Sequence, residues 1–138
     1  MTKVGITQLI PQRAPIQMVD ELVCVDSDRA ETSYEVKAGN FLIDHEILAE
    51  VGLIEHIAQS ASALAGYKAL KAGASEPPVG LIGEIKRFHC YRCPQVGEVL
   101  RTTIQMGAEL AGVTLLSGEV RVQEELLADT QMKIFVPS

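Results

Sequence analysis

Residues 48–70, LAEVGLIEHIAQSASALAGYKAL, constrain this chain more than any other stretch. Val51, Ile54, Ala58, Ala61 and Ala65 recur at alternating three- and four-residue intervals, which predicts a helix of roughly six turns. Its middle is built of Ala, Ser and Gly where a core helix usually carries Leu, so other elements must close round it at short range. Asp44 and Glu46 place negative charge ahead of its N-terminus, and Lys68 and Lys71 place positive charge at its other end, both as the helix dipole favours. Gly73 and the Pro77-Pro78 pair then break the chain.

The flanking sequence supplies strands to enclose such a helix. GITQLI (5–10) predicts a short helical segment that Pro11 stops. Residues 16–25 (IQMVDELVCV) read as a strand, and 30–37 (AETSYEVK) as its hairpin partner, ended by Gly39. After the helix come strands over 79–90, 97–107, 112–122 and 126–136. A hairpin, one long helix and four further strands give an α+β order in which a curved antiparallel sheet wraps the helix. With 138 residues and 47% hydrophobic composition, one domain over 1–138 has enough core to stand without a disulfide or metal staple. A net charge of −6 argues against nucleic acid as partner. No apolar run reaches the roughly 18 residues of a membrane span, and the first residues lack a secretory pattern, so the chain reads as cytoplasmic and not membrane-bound. Three cysteines fit reduced thiols better than a disulfide framework.

Three stretches carry a resemblance to a known family. LIPQRAPIQMVD (9–20) is similar to the "LPHRYPFLLVD" opening of the FabZ-type 3-hydroxyacyl-(acyl carrier protein) dehydratases, and VGLIEHIAQ (51–59) to that family's central-helix "VLMIEAMAQ". GEIKRF (83–88) followed by PQVGE (94–98) resembles its "GIDKARFRRPVVPGD". The likeness runs from about residue 7 to 136. It implies a hot-dog fold, assembled as a homodimer or as a heterodimer with another hot-dog protein, with acyl tunnels at the interface. The substrate would ride on the phosphopantetheine of an acyl carrier protein or on coenzyme A, with no other cofactor and no metal. In that family a histidine of one subunit and a carboxylate on the partner's central helix eliminate water from a 3-hydroxyacyl thioester. A base removes the proton beside the carbonyl while an acid helps the hydroxyl leave, and a backbone N–H at the helix start steadies the thioester oxygen.

Glu55 falls on the position of the helix carboxylate. It also lies on the apolar face between Val51 and Ala58, where a charge is costly unless used or paired; the structural alternative is a Glu bonded to Gln59 one turn on. The family's catalytic histidine, in "GHFPGHPxxPG", aligns instead with Phe41, whereas His45 aligns with the segment's second, non-catalytic histidine. The "PG" at the helix start becomes Ala49-Glu50. The resemblance therefore makes Glu55 and His45 the catalytic candidates and sets Phe41, Glu50, Gly52 and Gln59 beside the substrate. Three readings follow: a dehydratase in which a rearranged loop brings in His45, a thioesterase in which Glu55 activates water, or a non-catalytic subunit that pairs with an active dehydratase. Dehydratase-like proteins of aryl-polyene pathways look similar in their "FL" after the loop start and their "GLIE"-type helices.

The basic residues Lys86, Arg87, Arg92 and Arg101 stand out in an acidic chain, and a cationic rim would steer an acidic carrier protein; solvated strand faces are the plain alternative. Cys90-Tyr91-Arg92-Cys93 has the spacing of half a zinc site, but no second such pair exists, so two strand cysteines beside a bulge is the expectation. His56 sits about 100° round the helix from Glu55 and reads as a buried or interface histidine, as does His89.

Overall fold

The computed structural model describes residues 5–13, 16–40, 42–73 and 81–135. After a short 3-10 turn (Ile6–Gln8) come β1 (Glu21–Asp26), β2 (Arg29–Glu35), β3 (Ile43–Asp44), β4 (Ile47–Leu48) and the helix α1 (Glu50–Lys71). Strands β5 (Leu81–Cys90), β6 (Val99–Leu110), β7 (Val113–Val122) and β8 (Glu125–Phe135) follow. One antiparallel sheet takes the order β1-β2-β6-β7-β8-β5. Because β2 and β5 lie near opposite edges of that sheet, the chain between them must cross it, and α1 makes the crossing.

Small residues set how closely α1 is held. Leu53, Ile57 and Leu64 are fully buried on its inner side against Leu100, Ile104, Leu116 and Val120, each worth about 1.5–3 kcal/mol relative to exposure. Gly118 of β7 lies against Ile57, where a Cβ would come within 3.0 Å of the Ile57 Cγ2. Gly66 has a stricter role, since any Cβ there would run into the carbonyl of Leu9. The N-terminal segment thus lies directly on the helix, with Leu9, Ile10, Met18 and Val19 buried beneath it.

Among the boundaries that differ from the sequence expectation, two have a clear local reason. The first strand begins at Glu21 rather than residue 16, because the backbone of Met18 bonds to helix side chains: its N–H donates to Gln59 Oε1 at 2.6 Å and its carbonyl accepts from His56 Nδ1 at 2.6 Å. The helix begins at Glu50 rather than residue 48 because β3 and β4 form a two-stranded hairpin. His45 (φ 51°) and Glu46 (φ 64°) are its two turn residues, the left-handed pair that the tightest hairpin turns require.

Candidate active site

Glu55 stands on the side of α1 that the chain's own sheet leaves uncovered. Val51, one turn earlier, is 55% exposed, and Ile16, whose carbonyl shares a donor with Glu55, is 49% exposed. Glu55 itself is half-buried between them. Its Oε2 accepts from Gln59 Nε2 at 3.0 Å; the same amide donates to the Ile16 carbonyl at 2.9 Å, and Gln59 Oε1 accepts from Met18 N–H. Gln59 is fully buried with all three of these bonds made, so the carboxylate is pinned by a side chain that is itself immobile. The sequence alternative of a Glu55–Gln59 bond is present, and it orients the acid without enclosing it.

Next to this pair lies a structural histidine. His56 is fully buried, stacked on Tyr34 with ring centroids 5.7 Å apart. The Met18 carbonyl can only accept, so Nδ1 carries the proton and Nε2 accepts from the Thr102 hydroxyl at 2.6 Å. Burial drives its pKa down to about 4, against the opposing pull of the Met18 carbonyl and Asp20. One turn on, Ser60 and Thr32 share a buried hydroxyl contact at 2.7 Å. His56, Gln59 and Ser60 therefore bolt the helix to three separate segments.

His45 sits at the tip of the β3–β4 hairpin with its side chain 92% exposed, its Nδ1 2.9 Å from Asp44. Within one chain it makes no bond to Glu55. Phe41 lies outside the described residues. Asn40 is buried and shapes the adjoining loop: its Nδ2 donates to the Tyr34 hydroxyl and its Oδ1 accepts from Leu42 N–H. Glu50 is the exposed first residue of α1. Among the described residues, the N–H groups of Glu50 and Val51 find no acceptor, whereas those of Gly52 and Leu53 bond to the Ala49 carbonyl. Gly52 is buried under Leu48, where a Cβ would clash with that side chain, so it acts on the backbone geometry of the helix start rather than offering a free donor.

The basic rim divides. Lys86 and Arg87 are exposed on β5 and neither is ion-paired among the described residues. Arg92 does not stand free as a docking cation: both its terminal nitrogens meet Glu98 (2.9 and 3.0 Å), and Nε meets Glu125 at 3.0 Å. These bonds raise its own pKa and hold both carboxyls below the ordinary range. Arg101 pairs with Glu31 at 3.2 Å. Cys90 and Cys93 are free thiols with sulfurs 3.8 Å apart, and burial, Cys93 and the charge of Glu50 push the Cys90 thiol up to about 11. Among the described residues they have no third His, Cys, Asp or Glu placed to complete a metal set. His89 faces Asp129 at 3.4 Å. No described helix is long and apolar enough to cross a membrane.

A large antiparallel sheet packed against one small-residue helix defines the hot-dog class, and a half-buried carboxylate lies on the helix's open side. The sequence matches the ApeP-like family (ApeP dehydratase) over residues 4–138, and the chain belongs to that family. It is similar to the 3-hydroxyacyl-[acyl-carrier-protein] dehydratase FabZ of Shewanella woodyi, 26% identical over 136 residues that span 92% of this chain and 86% of the relative. Its fold superimposes on a chain of the dehydratase heterocomplex ApeI:P from Xenorhabdus doucetiae with a TM-score of 0.89 at 15% identity, covering 99% of this chain and 93% of that one. A hypothetical thioesterase of Streptococcus pneumoniae with coenzyme A has the same fold, with a TM-score of 0.66 at 11% identity over 86% and 85% of the two chains.

Proposed function

We propose that this chain takes part in eliminating water from 3-hydroxyacyl thioesters, with Glu55 as its acid–base group. The observation that carries this is the state of Glu55: fixed by Gln59, half-buried, and flanked by exposed Val51 and Ile16 on the open side of α1. A carboxylate held in one orientation at an apolar surface is placed for proton transfer once a second body covers it and excludes water. The free amides of Glu50 and Val51 at the helix start are the donors available to a thioester oxygen.

Elimination needs a second group, and none of the described residues brings one to Glu55. We assign that group to a second hot-dog chain facing α1. In a homodimer the candidate is His45, which the β3–β4 turn projects away from its own protomer. In a heterodimer the partner supplies its own histidine, an arrangement that the heterocomplex among the structural relatives favours. The acyl group arrives on the phosphopantetheine of an acyl carrier protein or on coenzyme A, with Lys86 and Arg87 as the exposed cations that meet an acidic carrier. The ordinary setting for these substrates is the cytoplasm.

The test is to incubate the purified chain, alone and with a co-expressed second hot-dog subunit, with 3-hydroxyacyl- and enoyl-carrier substrates and follow the products by mass. Dehydration lost in Glu55→Gln supports the proposal. Turnover that also requires His45 points to the homodimer, and turnover only with the second subunit points to the heterodimer. Free acid as the product makes Glu55 the base of a thioesterase instead.

A further inference from the structure

The thiols of Cys90 and Cys93 stand in contact, with sulfurs 3.8 Å apart. Their spacing in the sequence does not by itself produce this. Residues three apart along an extended strand face opposite sides of the sheet, and Cys90 is the last residue of β5. The chain turns Cys93 back because the N–H groups of Tyr91 and Arg92 both donate to the Leu127 carbonyl, at 2.7 and 3.3 Å. Two residues oppose one there, as in a β-bulge. The turn is locked from outside as well: Arg92 is tied to Glu98 and Glu125, and the Glu98 carboxylate also accepts from Gln95 N–H at 2.8 Å.

Both cysteines are half-buried free thiols, so a small reagent reaches them while the fold holds the two side chains together. A disulfide needs sulfurs about 2.0 Å apart, and side-chain rotation from van der Waals contact supplies the rest. Cys24, the third thiol, is exposed on β1 at the opposite edge of the sheet from β5. The segment after Cys93 carries the β3–β4 hairpin: the Pro94 carbonyl accepts from Leu48 N–H at 2.9 Å, and Val96 N–H donates to the Glu46 carbonyl at 2.8 Å.

We propose that Cys90 and Cys93 form a reversible thiol–disulfide site that exchanges with small-molecule disulfides of the glutathione class, and that its closure clips the end of β5 to the β3–β4 hairpin. One cysteine thiolate attacks a sulfur of the small disulfide and expels one small thiolate, leaving a mixed disulfide on the protein. The other cysteine then gives up its proton, attacks the protein sulfur of that bond and expels the second small thiolate. The cysteine pair loses two electrons and the small disulfide gains them; the protons end on the released thiols. The site does not involve Glu55 and does not depend on the acyl chemistry proposed for it.

The test is to equilibrate the full chain with graded ratios of reduced to oxidised glutathione, quench with acid, alkylate, and measure the intact mass. The folded parent converts from three alkylated cysteines to one, Cys24, with no glutathione mass added, and dithiothreitol reverses the change. Its midpoint falls at a ratio at least about tenfold more reducing than that of the same chain in urea, because the fold holds the sulfurs together. Cys24→Ser titrates as the parent does with one alkyl group fewer throughout, whereas Cys90→Ser and Cys93→Ser form no internal bond. In the oxidised parent, hydrogen exchange at the Leu48 and Val96 N–H groups slows about threefold or more. The proposal is overturned if three thiols stay open to alkylation under full oxidation, if the bond includes Cys24 or joins two chains, if folded and unfolded midpoints coincide, or if exchange at Leu48 and Val96 is unchanged.

Discussion

Gln59 and Glu55, one helical turn apart, form a pair in which the amide is buried and immobile and the acid is half-open: the 3.0 Å bond between them is the last link of a chain that begins at the Met18 backbone. The two residues should therefore respond differently to substitution. Gln59→Leu strands the Met18 N–H and the Ile16 carbonyl, and is expected to destabilise the fold by about 1–3 kcal/mol in urea unfolding. Glu55→Gln removes a charge from a partly open surface and should leave stability within about 0.5 kcal/mol. Equal losses from both would mean that Glu55 is a structural residue.

His56 makes the fold sensitive to acid. Its folded pKa of about 4 lies below the ordinary 6.5, so the folded chain refuses a proton that the unfolded chain accepts. The stability this neutral form contributes is complete above pH 6.5 and is lost as pH falls from there toward 4, a difference on the order of 3 kcal/mol. Urea midpoints for parent and His56→Gln, measured at pH 7 and pH 4.5, should show a steeper fall for the parent. Parallel curves would mean that the ring is not buried neutral.

Gly66 records the approach of the N-terminal segment to α1. Adding one methyl with Gly66→Ala would push Leu9 off the helix and is expected to cost about 1–3 kcal/mol, despite the better helix propensity of alanine. A stabilised Gly66→Ala, read by thermal unfolding, would show that Leu9 does not rest there.

The basic residues of β5 and the turn after it separate by function. Reversing Lys86 and Arg87 to Glu should weaken binding of an acidic carrier protein, with the loss shrinking as salt is added. Arg92→Ala should instead lower the melting temperature, since Glu98 and Glu125 are left facing each other. Carrier affinity that follows Arg92 and ignores Arg87 would reverse this division.

The helix and the succession of strands along the chain were legible because each rests on a pattern spread over many residues: the three-and-four spacing around Val51, Ile54 and Ala58, and the alternation along β6 to β8; Glu55, expected on the apolar face, is instead half-buried on the open side, because the sheet packs against Leu53, Ile57 and Leu64. The β3–β4 hairpin was not. His45-Glu46 adopts left-handed backbone without the Asn or Gly that normally announces such a turn, and Ile47-Leu48 continues the helix periodicity into what is a strand. The late start of the first strand was equally hidden, since nothing in residues 16–20 says that Gln59 and His56, some forty positions on, will take their backbone bonds. Arg92 looked like a free cation because its partners Glu98 and Glu125 come together with it only once β5, β6 and β8 are assembled.

The most direct test of the central claim is the mass-resolved turnover of a 3-hydroxyacyl-carrier substrate by the chain, alone and together with the second hot-dog chain proposed for it, comparing the parent with Glu55→Gln at matched folded concentration. Loss of dehydration by a factor of about 100 or more, with unfolding curves superimposed, is the predicted result. Dehydration by Glu55→Gln at the parental rate would contradict it.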